Sequence, residues 1–151
     1  MSLEDLYREV ILDHYRNPRN RAPLDHTESH AEGVNPLCGD EVTVELHFDG
    51  DRIDEVSVRG QGCSISQSSA SMMSDAIKGK TRAEVADLTR RFKAMMDIEG
   101  NGASDAGLDP DRPGSALGDM EALQGVRQYP VRIKCANLAW TTLEEALADS
   151  S

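Results

Sequence analysis

Cys38, Cys63 and Cys135 each stand among small or turn-forming residues: Asn-Pro-Leu-Cys-Gly-Asp (35–40), Gly-Gln-Gly-Cys-Ser (60–64) and Arg-Ile-Lys-Cys-Ala-Asn (132–137). Asp40 follows the first cysteine by two residues. Three thiolates and a carboxylate make up a tetrahedral zinc set, with Zn–S near about 2.3 Å and Zn–O near about 2.0–2.2 Å. The carboxylate is the weakest and most displaceable member, so a site built this way can be opened.

Spacing alone does not require a metal. None of the cysteines forms a C-x-x-C pair, which argues against a thiol–disulfide oxidoreductase. Free cysteines also behave as small buried hydrophobes, and that is the alternative here. The neighbouring glycines shift the balance. Gly39, Gly60 and Gly62 allow close backbone approach or positive φ beside the thiols, which ordinary core positions do not need.

The elements that must position these residues are legible to different degrees. Leu3, Leu6, Tyr7, Val10, Ile11 and His14 recur at helical spacing behind a Ser2/Asp5 capping signal, and Asn17-Pro18 ends that helix. Residues 20–35 show no period and read as loop, with His26 and His30 as solvated groups. In Glu41 to Phe48, Val42, Val44, Leu46 and Phe48 alternate onto one face, with His47 on the other. Asp49-Gly50-Asp51 is a turn. The chain then returns through Arg52 to Gly60 with Val56 and Val58 inward, and Ile53 falls out of phase, as at a bulge or a late start of the strand. Cys63 to Ser66 reads as a short third strand.

A helix over Gln67–Lys78 with Ala70, Met73 and Ile77 inward is closed by Gly79, and its opening serines are expected to face Cys63. Thr81 and Glu84 form a capping box before Val85, Leu88, Phe92 and Met95. Glu99 to Gly114 is a Gly-, Asp- and Pro-rich connection beyond the usual length of about 12–15 residues. Ser115–Leu123 suits one short helix, and a last helix follows Cys135 with Leu138, Ala139, Leu143 and Leu147 inward.

The 151 residues suit one domain (1–151) with a real core. A net charge of −11 excludes a general nucleic-acid or anionic-membrane binder, because both surfaces demand a basic face. No run approaches the roughly 18 apolar residues needed to span a bilayer. An odd cysteine count without an export signal points to a cytoplasmic chain with reduced thiols. Arg16, Arg19 and Arg21 form a local basic patch, read either as a solvated turn or as a docking patch for an acidic protein.

These residues resemble the SufU side of the IscU/NifU-like family of iron–sulfur cluster assembly proteins. The resemblance runs through residues 6–20 (Leu-Tyr-Arg-Glu-Val-Ile-Leu-Asp-His-Tyr-Arg-Asn-Pro-Arg-Asn) and the Cys38 and Cys63 motifs. It continues in Ser69-Ala-Ser-Met-Met73 and in residues 134–140 (Lys-Cys-Ala-Asn-Leu-Ala-Trp). Lys134 stands where IscU-type chains have a histidine, and the Gly-rich stretch at about 99–118 matches an insertion of SufU-type chains. The resemblance implies an α+β fold, a small antiparallel three-stranded sheet packed against several helices. It implies zinc held by Cys38, Asp40, Cys63 and Cys135.

It further implies a zinc-dependent persulfide carrier that activates a pyridoxal-phosphate cysteine desulfurase of SufS type and supplies a SufB-type scaffold. In that scheme a desulfurase histidine enters the zinc shell and frees Cys38 to accept sulfur. Arg132 and Lys134 would stabilise thiolates, with ordinary surface charge as the alternative. The rival function is a scaffold on which iron or a transient [2Fe–2S] cluster is held, and a purely structural zinc in an adaptor is a third.

Overall fold

In the computed structural model, which describes residues 3–24, 29–36, 39–96 and 117–149, the Val42/Val44/Leu46/Phe48 row forms the buried face of a three-stranded sheet. Strands β1 (Ser29–Asn35), β2 (Asp40–Asp49) and β3 (Arg52–Gln61) pair antiparallel in the order β1-β2-β3. Helices α1 (Leu3–Arg16), α2 (Ser64–Ile77), α3 (Arg82–Met96) and α4 (Pro130–Asp149), with a 3₁₀ segment over Gly118–Gln128, complete the α+β fold. Burying apolar area of this kind stabilises at roughly 25 cal/mol per Å², so β2 and the helices over it are the energetic centre.

The hairpin follows from its sequence. Gly50 and Asp51 join Asp49 to its partner Arg52, and Gly50 alone of the two has positive φ (+65°), the type II′ pattern that suits the twist of paired strands. Register shifts between His47 and Phe48: His47 pairs with Glu55 and Phe48 with Ile53, so Asp54 is the extra residue. The bulge returns Ile53 to the core.

The third strand is not Cys63–Ser66 but Ser29–Asn35, inside the segment expected to be loop. Ser-His-Ala-Glu-Gly-Val-Asn lacks an alternating apolar face, and its strand character comes from β2 and α4. A Cβ at Gly33 would lie 2.0 Å from Thr142 Oγ1, so glycine is what lets α4 settle on this edge strand. Ser29 anchors the other end, donating to the Ala146 carbonyl at 2.6 Å.

Two helices start earlier than their sequence signals suggest. α2 begins at Ser64, with Cys63 as its extended N-cap residue (φ −71°, ψ 166°). α4 begins at Pro130, where proline's fixed φ and missing N–H are harmless, so Cys135 lies within the helix rather than before it. The expected core residues Ala139 and Leu143 are buried, and Trp140 stacks on Phe92 of α3 with ring centroids 4.7 Å apart. Instead of a short helix over Ser115–Leu123, the 3₁₀ segment runs through Gly125 to Gln128; residues 115–116 and the Glu99–Gly114 connection lie outside the described residues.

Candidate metal centre

Asp40, Cys63 and Cys135 come together at one end of the sheet, from the start of β2, the N-cap of α2 and the second turn of α4. One ligand-type atom from each lies within 4.8 Å of the others. Asp40 and Cys135 are fully buried, and Cys63 is half-buried. Two soft sulfurs and one carboxylate at this separation fit a thiolate-binding metal such as zinc. Cys38, the fourth expected ligand, lies outside the described residues.

Each side chain is placed by its local fold. Asp40 Oδ1 accepts the main-chain N–H of Cys63 at 2.9 Å, and Oδ2 lies 3.8 Å from Cys63 Sγ. That closeness depends on glycine. At Gly62 φ is +148°, and a Cβ there would stand 2.2 Å from Asp40 Oδ1 and 2.9 Å from Ser66 Oγ. At Gly60 a Cβ would meet the Glu41 carbonyl at 2.0 Å. The two glycines therefore let the β3–α2 turn close over the carboxylate.

Cys63 makes no side-chain capping hydrogen bond, which leaves its thiol to the cluster, at a helix end that favours negative charge. Cys135 Sγ lies 3.9 Å from Asn35 Nδ2 and 3.9 Å from the Val131 carbonyl. Beside it, the Ser69 hydroxyl donates to the Ala136 carbonyl at 2.6 Å and ties α2 to α4.

The serines of α2 differ from expectation. Ser66 does turn back to the Cys63 carbonyl (3.1 Å), but Ser71 and Ser74 serve the opposite end. Ser71 Oγ accepts the N–H of Arg19 and bonds His14 Nδ1 at 2.8 Å, while His14 Nε2 reaches Asp119 Oδ2 at 2.9 Å. Buried His14 thus joins α1, α2 and the 3₁₀ segment. Small polar residues at helical spacing mark a close helix contact as readily as a site.

Arg132 and Lys134 are exposed on α4, three residues and one residue before Cys135. Lys134 lines a shallow groove with Val34, Asn35, Asn137, Leu138 and Thr141. Within the basic patch, Arg19 pairs with Asp13 at 2.6 Å and Arg21 donates to the Gly60 carbonyl at 3.2 Å, while Arg16 and Arg21 stay exposed. Arg19's hydrogen bond holds the Asp13 carboxyl below the usual carboxylate range. A second ligand-type group, His47, Asp54 and Glu55, is a consequence of the bulge, with Asp54 and Glu55 both exposed. Asn35 as a neighbour of Cys135 was missed by sequence reasoning, because no local pattern joins residues 100 positions apart.

The family described as NifU-like N terminal domain matches residues 6–136. The chain is 44% identical over 147 residues to the zinc-dependent sulfurtransferase SufU of Bacillus subtilis, covering 97% of this chain and 92% of that protein. It is 38% identical to the iron–sulfur cluster assembly scaffold protein IscU of Streptococcus pyogenes, over 99% of this chain and 87% of that one. The crystal structure of FiSufU, a SUF-system protein from Fervidobacterium islandicum AW-1, superposes with a TM-score of 0.78 at 34% identity, covering 97% of this chain and 99% of that chain. The converging thiols, the fold and these similarities agree: the chain belongs to the SufU/IscU family, built on the NifU-like N-terminal domain.

Proposed function

We propose that this protein is a zinc-dependent sulfur carrier of iron–sulfur cluster assembly. It takes sulfane sulfur from a pyridoxal-phosphate cysteine desulfurase of SufS type and passes it to a SufB-type scaffold. The observation that carries the reading is the convergence of Asp40, Cys63 and Cys135 within 4.8 Å, with Asp40 locked to the Cys63 N–H. Cys63, Cys135 and Asp40 would hold zinc together with Cys38. The metal, when bound, keeps coordinated thiols deprotonated and shielded between transfers.

Cys38 is the sulfur acceptor. Its thiolate attacks the outer sulfur of the donor's persulfide; one S–S bond forms on Cys38 as the donor's breaks, and the donor leaves as a thiolate. The exchange needs no outside oxidant or reductant. Arg132, on the turn before Cys135, would stabilise the thiolate. In this reading residues 1–151 act as one domain with an insertion at about 99–118. Its compartment is the cytoplasm, where thiols stay reduced. No helix among the described residues is long and apolar enough to cross a membrane.

The test is alanine release by a SufS-type desulfurase with reductant, with this protein added zinc-loaded, zinc-stripped or as Cys38→Ala. The carrier reading expects a large rate increase with the zinc-loaded wild type alone. A second reading, a scaffold for a transient [2Fe–2S] cluster, is supported by the same donor set and by the scaffold name of the Streptococcus relative. It expects no rate increase, with iron and sulfide bound and then passed on intact.

A further inference from the structure

Asn35, the last residue of β1, is 8% exposed and makes three connections at once. It pairs in register with Asp40. Its carbonyl accepts the N–H of Gly39 at 2.9 Å, closing the chain reversal between β1 and β2. Its carboxamide Nδ2 faces Cys135 Sγ, 100 residues away in sequence, at 3.9 Å. A buried carboxamide is costly unless its N–H groups are used, and here one is aimed at a sulfur.

The Val131 carbonyl and the Asn35 amide beside Cys135 Sγ differ in chemistry. The Val131 carbonyl is an acceptor; it takes an S–H hydrogen bond but offers nothing to a metal-bound thiolate, which has only lone pairs. The Asn35 N–H is a donor and suits the thiolate. Groups that hydrogen-bond a ligand orient it and tune its donor strength.

We propose that Asn35 is a positioning residue of the metal centre. Its N–H···S hydrogen bond aims Cys135 Sγ at Asp40 and Cys63 and draws charge off the thiolate, while its main chain holds Asp40 at the start of β2. The inference rests on the zinc reading above, since a cluster that takes no metal needs no such donor.

The test compares wild type with Asn35→Leu, which keeps much of the volume but loses the donor without adding charge, and with Asn35→Ala. Zinc affinity is read by competition with a chromophoric chelator, and thiolate electron density by the charge-transfer bands of the cobalt-substituted proteins. Both variants should bind zinc about 10–100-fold more weakly and shift the charge-transfer bands to lower energy, with unchanged far-UV circular dichroism. A second measurement needs no variant. In cadmium-loaded wild type, one Asn35 side-chain amide proton should move downfield on metal binding and couple to cadmium across the hydrogen bond. Unaltered affinity and bands in a folded Asn35→Leu protein, or an amide that neither shifts nor couples, would overturn the assignment. Wild type that binds neither zinc nor cobalt would instead remove the metal reading beneath it.

Discussion

The main-chain N–H of Cys63 donates to Oδ1 of Asp40 at 2.9 Å, so two ligand-type residues 23 positions apart are joined through the protein itself. This bond aligns the carboxylate and fixes the first residue of α2's N-terminus against β2. Asp40→Ala leaves the part-buried N–H without its acceptor, whereas Asp40→Asn keeps a carbonyl oxygen there. Metal-stripped Asp40→Ala should therefore be less stable than Asp40→Asn by about 1–3 kcal/mol in urea denaturation. Coincident unfolding midpoints would show that the bond contributes nothing.

Gly62 supports the same carboxylate by lacking a side chain. Gly62→Ala places a methyl 2.2 Å from Asp40 Oδ1 at a φ of +148°, so it should cost about 1–3 kcal/mol in backbone strain and displace the carboxylate as well. Gly50→Ala is the matched control: its φ of +65° is also unfavourable, but open space surrounds it at the far hairpin. It should cost about 1–3 kcal/mol in backbone strain and bind zinc like wild type. Equal zinc affinities for the two variants would remove the steric argument.

The difference between legible and hidden features follows from the range of the interactions. Val42 to Phe48 announced β2 because a period of two is written locally, while Ile53 out of phase left a bulge or a late start open and the structure shows the bulge. Ser29–Asn35 carried no such signal: its strand character depends on β2 and on Gly33 admitting Thr142 of α4. The cysteines and Asp40 stood out by type and by glycine context, and the structure brings Asp40, Cys63 and Cys135 together. Asn35 beside Cys135 could not be read, since only the folded topology closes 100 residues of separation. The serines of α2 misled for a related reason, as Ser69 and Ser71 look outward to α4 and α1 rather than along the helix to Cys63.

Phe92 stacks on Trp140 with an interplanar angle of 17°, both fully buried, and this pair locks α3 to α4, the helix that carries Cys135. Phe92→Ala should destabilise by about 3–5 kcal/mol through lost burial and a residual cavity. Trp140 is the sole tryptophan, so its emission reports the site directly and should shift to the red. An unshifted spectrum would place Phe92 outside the packing that shields Trp140.

The capping box at the start of α3 is reciprocal. Thr81 N–H donates to Glu84 Oε1 at 3.0 Å, and Glu84 N–H donates to Thr81 Oγ1 at 3.2 Å. The main-chain hydrogen bond from Thr81 holds the Glu84 carboxyl below its ordinary value of 4.5. A carboxyl depressed on folding contributes stability that is fully present above its unfolded value and is lost as pH falls through the folded one. The stability gap between wild type and Glu84→Gln should thus be constant above about pH 4.5 and shrink below it. A gap independent of pH in acid urea titrations would rule out the ionised box.

Zinc should act on the fold as a whole, because its candidate ligands come from β2, the start of α2 and α4. A metal that binds only the native chain stabilises by mass action, about 2.7 kcal/mol at one hundred times its dissociation constant. Melting temperature should therefore rise with free zinc in wild type, and Cys135→Ser should lose most of that rise. Cys38→Ala separates carriage from a structural metal. With Asp40, Cys63 and Cys135 still in place, it should remain folded and bind zinc more weakly, yet fail to accept sulfur from the desulfurase. If Cys38→Ala instead unfolds at the temperature where metal-stripped wild type is native, Cys38 is a structural residue and the sulfur acceptor must be sought elsewhere.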